Sequence, residues 1–196
     1  MRRILPFAAR TLGGMTVRDF DPLRLDVVAF AKEAGQLEGH WSLRELVRLH
    51  DAAHAETRPG EGDAVAWQAR GELRRFSGGE GQPWLHVKAT VGMALECQRC
   101  LGPVVEQLAV ERSFLFVHGE DAAAQLDADS EDDVLALTRA LDLRELIEDE
   151  LLLALPLVPR HAVCPEPLPL ADTPELADDK PNPFAALAAL KRGPPN

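Results

Sequence analysis

The segment Leu85-His86-Val87-Lys88-Ala89-Thr90-Val91-Gly92-Met93-Ala94-Leu95 alternates almost without a break. Leu85, Val87, Ala89, Val91, Met93 and Leu95 share one parity, and His86, Lys88 and Thr90 the other. Successive side chains of a strand point to opposite faces, so this pattern specifies a strand with one dry and one wet face. Upstream, Val65, Trp67, Ala69 and Leu73 alternate with Gln68, Arg70 and Glu72. Ser77-Gly78-Gly79-Glu80-Gly81 between the two segments reads as a hairpin loop. Downstream, Leu108, Val110, Phe114 and Phe116 share a parity within Val104–Val117, a third strand, and Val134–Thr138 is a short fourth. Strands that follow one another without intervening helices call for an antiparallel sheet.

Helical signals flank these strands. Asp21-Pro22 reads as a cap with proline in the first turn, followed by Leu23, Val27, Phe30, Ala31 and Ala34 and stopped by Gly35. Ser42-Leu43-Arg44-Glu45 is a capping-box pattern opening a second helix, with Leu43, Leu46, Val47 and His50 on one side. Asp142-Leu143-Arg144-Glu145 starts the clearest helix, with a stripe of Leu143, Leu146, Ile147, Leu151 and Ala154 ending at Pro156. The expected fold class is therefore α+β: an antiparallel sheet with N-terminal helices and one C-terminal core helix, then a Pro-rich tail. Residues 1–13 read as a flexible extension, 14–164 as a single α+β domain, and 165–196 as a disordered tail with a short terminal helix.

The chain has 196 residues and a formal net charge of −11. Residues 120–150 carry twelve acids against Arg139 and Arg144, and Glu120–Asp133 reads as an acidic, solvated loop. Such charge disfavours a sequence-blind grip on nucleic acid by the molecule as a whole and suits a basic partner. No apolar run approaches the length of a membrane span. Three cysteines make no disulfide scaffold and fit a reducing compartment, so the cytoplasm is the expected location. Arg2, Arg3, Arg10 and Arg18 stand in an N-terminal stretch without acids, but Arg10 and Gly13-Gly14 interrupt any secretory apolar core. GxSxG, GxxxxGK[ST] and HExxH are absent.

Cys97-Gln98-Arg99-Cys100 and His161-Ala162-Val163-Cys164 are two pairs of soft donors with matching two-residue gaps. Zinc takes four such ligands in a tetrahedron, and the gap lets both members of a pair reach one ion. Two other readings stand beside the metal: a redox pair, which lacks the helix expected after CxxC, and cysteines that are merely buried. Glu148, Asp149 and Glu150 point in different directions from one helix, and Glu150 beside the apolar stripe calls for a cation such as Arg99.

Several of these segments recur in one order in a known family. Asp21-Pro22, Leu95-Glu96-Cys97-Gln98-Arg99-Cys100, Asp142-Leu143 through Leu155-Pro156-Leu157-Val158-Pro159 with His161, and Lys180-Pro181-Asn182-Pro183-Phe184-Ala185 with Leu187–Arg192 resemble the YceD family, the large ribosomal RNA subunit accumulation proteins. The resemblance implies a ribosome biogenesis factor that promotes synthesis, processing or stability of 23S rRNA, and it supplies no active site. The acidic balance then favours a ribosomal protein or assembly factor of the large subunit as partner, with rRNA reached directly or indirectly. Glu148, Asp149, Glu150 and the tail residues Asn182, Pro183, Phe184 and Leu187 are the candidate partner-binding residues. The alternative is a direct RNA-binding protein using Arg2, Arg3, Arg10, Arg18, Arg70, Arg74 and Arg75 as a basic face.

Overall fold

The computed structural model describes residues 19–60, 62–75, 81–130 and 132–165. The extension 1–13 and the tail residues Asn182, Pro183, Phe184 and Leu187 lie outside them. The chain runs α1 (Val27–Lys32), β1 (Gln36–Ser42), α2 (Val47–Asp51), β2 (Ala64–Arg74), β3 (Gln82–Glu96), β4 (Pro103–Val117), α3 (Glu120–Asp129), β5 (Asp133–Ala136) and α4 (Leu143–Leu153). The five strands form one sheet in sequence order. Neighbours from β1 to β4 are antiparallel, as the alternation requires, while β4 and β5 are parallel.

β3 is the spine of the sheet. Val87, Ala89, Val91, Met93 and Leu95 are buried, and Lys88 and Thr90 are exposed. The dry face packs with Leu25, Val27 and Phe30 from the α1 region, Leu49 from α2 and Leu143, Ile147 and Leu151 from α4 into one core. On the wet face, His86 bridges three strands: its Nε2 lies 2.8 Å from Glu72 Oε2 and its Nδ1 2.7 Å from Ser113 Oγ. The guanidinium of Arg74 and the His86 ring hold Glu72 below the usual carboxylate range.

Four sequence expectations are corrected. The first helix is shorter than 19–34: Asp21 makes a local turn to the Leu23 amide, Leu23 faces water, and Asp26 caps α1 through the Ala29 amide at 3.0 Å. Leu25 is instead drawn into a bridge with Leu141, which fixes it as extended chain. In the second helical region the Glu45 side chain accepts from the Ser42 amide at 3.0 Å, but Leu49 is buried and Val47 is 61% exposed. The segment Gln36–Ser42, passed over in the sequence, is β1. Gly39 in its middle lies against the Trp67 indole, where an added Cβ would sit 3.0 Å from the ring, and Trp41 stacks on Trp67 at 4.3 Å. The acidic stretch is not a loop throughout. Gly119, at φ +88°, ends β4, and Glu120–Asp129 forms α3. Its acids Glu120 and Asp121 occupy the first turn, where the helix dipole favours them. Ala123 then packs with Trp84, Leu115 and Val134 as a small second core on the wet face. That β4–α3–β5 crossover is why the last strand pair is parallel.

Candidate metal centre and its surroundings

The hairpin between β3 and β4 is tied by its own backbone. The Leu101 amide donates to the Cys97 carbonyl at 2.8 Å, and the Cys97 amide to the Gly102 carbonyl at 2.9 Å. Leu101 takes φ 60°, a conformation uncommon for a branched residue. This tight reversal turns Cys97 and Cys100 to one side. The chain leaving α4 returns past it, and the Gln98 amide donates to the Pro159 carbonyl at 2.9 Å. Five residues after Pro159 the chain reaches Cys164.

The two pairs therefore meet. Cys97 Sγ lies 3.9 Å from Cys164 Sγ, and Cys100 Sγ lies 3.4 Å from His161 Nδ1. All four donor atoms are within 4.8 Å of one another. Tetrahedral bonds of ~2.3 Å to sulfur and ~2.0 Å to nitrogen put two sulfurs about 3.7 Å apart and a sulfur and a nitrogen about 3.5 Å apart. Both close contacts match those separations, so the residues present fit a zinc-type ion. His161 Nε2 faces the Pro103 carbonyl at 3.0 Å. Donation from Nε2 leaves Nδ1 as the lone pair turned toward the sulfurs, the usual way a ligating imidazole is oriented.

The electrostatics favour thiolate at Cys97 and oppose it at Cys100. Burial works to raise the Cys97 thiol, but hydrogen bonds from the backbone at Cys100, His161 and Arg99 outweigh it and hold the thiol at about 5. The Gly102 amide pulls Cys100 down, yet burial and the neighbouring Cys164 and Cys97 sulfurs leave it above its ordinary value. Arg99 Nε donates to Cys164 Sγ at 3.0 Å, and its Nη2 donates to the His161 carbonyl at 2.9 Å. Arg99 is thus engaged with the donor cluster and does not meet Glu150, contrary to the sequence expectation. The cation on Glu150 is Arg112, whose Nε donates to Oε2 at 3.1 Å.

The acids of α4 also have definite places. Glu148 and Glu150 are buried, and Asp149 is half-exposed. Glu148 Oε1 accepts from the Arg48 amide at 2.7 Å and the Leu49 amide at 3.1 Å, and Oε2 from the Arg48 guanidinium at 2.9 Å. Leu46, at the N-terminus of α2, has no oxygen in its side chain, so a carboxylate 100 residues away caps that helix. Asp149 binds the same guanidinium at 2.6 Å, so two successive acids converge on one cation despite diverging on their own helix. Sequence reasoning missed Arg48 altogether; nothing local marks it.

A Cys3His cluster joining a sheet hairpin to the segment beyond the last helix, on an α+β scaffold, defines a class: small domains in which a four-donor set ties two distant chain segments together. A family model described as "Large ribosomal RNA subunit accumulation protein YceD" matches residues 85–191. A relative of that name from Haemophilus influenzae is 38% identical over 176 residues, covering 87% of this chain and 96% of its own. No solved structure gives a significant match. The chain belongs to the YceD family.

Proposed function

We propose that this protein promotes accumulation of the large-subunit ribosomal RNA, acting in the cytoplasm as a non-enzymatic assembly factor that binds a basic protein of the large subunit. The observation that carries the reading is the likeness to a relative named for that role along 87% of the chain. The charge supports a protein partner over a broad RNA-binding face. Arg70 and Arg74, two members of the expected basic face, both pair with Glu72, and Lys88 pairs with Glu111 at 2.6 Å. Half-exposed Asp149 and the exposed acids of α3 offer negative charge on the surface. Glu148 and Glu150 serve a partner chiefly by holding α4 in place. Asn182, Pro183, Phe184 and Leu187 supply a short apolar ligand on a Pro-rich tether.

Cys97, Cys100, His161 and Cys164 hold zinc in this reading. Four protein donors leave no open coordination position, so the ion's contribution is structural. It fixes the point from which the tail departs to the β3–β4 hairpin. Three thiolates and a neutral imidazole around a divalent ion leave one net negative charge, which Arg99 offsets.

Complementation tests the reading. In cells lacking this protein, the full chain should restore the ratio of large- to small-subunit rRNA. Deletion of 180–196 should leave the melting temperature unchanged and fail to restore the ratio. Full restoration by the truncated chain would refute the tail's role, and failure of the full chain to change the ratio would refute the function.

A further inference from the structure

A cleft of about 650 Å³ opens where β3 begins and β4 ends, bordered by α1. β3 rises about 3.4 Å per residue over its fifteen residues, so this cleft lies roughly 45 Å along the sheet from the Cys97 hairpin. Three cationic or ionisable side chains line it: Lys32 from the end of α1, Arg75 just past β2, and His118 just past β4. No acid lines it among the described residues. Leu73, Pro83 and Val117 contribute an apolar floor.

The cleft gathers positive charge on a chain of net charge −11. Elsewhere on the described surface, Arg48, Arg70, Arg74, Lys88, Arg112 and Arg144 each face a carboxylate, while Arg24, Arg44, Arg58, Arg139 and Arg160, like the cleft's cations, have no ion pair among the described residues. What distinguishes the cleft is that three such groups share one concave site. The side chains of Lys32, Arg75 and His118 have no ion pair or hydrogen bond among the described residues. Three elements separate in sequence thus bring unpaired positive charge to the rim of one concave, partly apolar site of ligand size. Unpaired cations around an apolar floor suit a ligand with a phosphate and a less polar body, which is the chemistry of a nucleotide unit.

We propose that this cleft binds the phosphates of a single RNA strand, with Lys32 and Arg75 as the two permanent charges and His118 as a third hydrogen-bond donor. The cleft's preference for phosphate rests on its lining alone; the choice of an RNA strand over a free nucleotide rests on the role in large-rRNA accumulation proposed above. The site differs from a basic stripe along the sheet, since Arg70 and Arg74 both already pair with Glu72. It also lies at the opposite end of the sheet from the Cys97 hairpin, near which the described chain ends.

The test uses the full chain and a fluorescent ten-nucleotide single-stranded RNA at several salt concentrations. Neutralising two phosphates of a single strand gives a log–log salt slope of about −1.4, a loss of about sevenfold in affinity between 50 and 200 mM salt. The Lys32→Gln, Arg75→Gln double variant should bind about tenfold more weakly at 50 mM and show a slope shallower by about 1.4. Both side chains are exposed, so its melting temperature and metal content should match the unsubstituted chain. Equal affinity and equal slope for the two proteins would overturn the proposal. So would a loss of binding seen only when Arg2, Arg3, Arg10 and Arg18 are replaced by Gln. Adenosine monophosphate bound through Lys32 and Arg75, with no binding of the oligonucleotide, would overturn the RNA assignment. These outcomes do not depend on rRNA ratios in cells, so the cleft can fail while the assembly role stands.

Discussion

Glu148→Ala should destabilise the fold through a helix 100 residues away. Among the described residues, the Glu148 carboxylate is the only side-chain acceptor for the Arg48 and Leu49 amides in the first turn of α2, at 2.7 and 3.1 Å. Loss of an N-cap oxygen costs about 1 kcal/mol. Leaving the buried Leu49 amide without an acceptor adds about 1–2 kcal/mol, because water does not easily replace a partner at a fully buried residue. The Arg48 guanidinium, half in water, adds little. The sum is about 2–3 kcal/mol. A chain of this size loses about 2–4 °C of melting temperature per kcal/mol, so the expected drop is roughly 4–12 °C by circular dichroism or calorimetry. Glu148→Gln keeps one carbonyl oxygen for the amides and should lose less than half as much. Asp149→Ala removes a contact to the guanidinium alone and should change the melting temperature little. Equal drops for Glu148→Ala and Asp149→Ala would refute the capping argument, as would a drop under about 2 °C for Glu148→Ala.

Two further outcomes follow from the metal centre and the wet face. The purified chain should carry about one zinc per molecule by elemental analysis, and Cys97→Ser or Cys164→Ser should abolish it and lower thermal stability; full-length protein free of metal, with stability unmoved by a chelator, would count against the site. Glu72 has a folded pKa depressed by Arg74 and His86, so it contributes stability above the ordinary carboxylate value that is lost as pH falls through the depressed one. Glu72→Gln should therefore lower stability at pH 8, and its deficit against the unsubstituted chain should shrink as pH falls below about 4.5, the effect being modest because the pair is partly solvated; a deficit that stays the same from pH 8 down to about pH 3 would contradict it.

The strands whose burial alternates were legible residue by residue, because a two-residue period is a local property of the chain. Leu85–Leu95 needs only its neighbours to declare which side is dry. The same holds for the start of α4, where Asp142 accepts from the Arg144 and Glu145 amides two and three residues on. The candidate ligands were legible as well, since each pair carries its spacing in sequence. That the pairs meet was not legible: it depends on the chain after α4 folding back so that Gln98 can donate to Pro159. β1 was hidden because its glycine makes sense only beneath Trp67 of the next strand. α3 was hidden because its acids outweigh a single buried contact, Ala123 against Trp84 and Val134. Ion-pair partners were the least legible of all. Arg112 rather than Arg99 faces Glu150, and Arg48 faces two acids at once, because charge pairing at a distance is set by which helix crosses which strand. Sequence by itself thus determined the periodic elements and the chemistry of the donor set. Only the tertiary structure decided which distant groups share a site, since local hydrophobic periodicity constrains a residue's direction but not its partner across the fold.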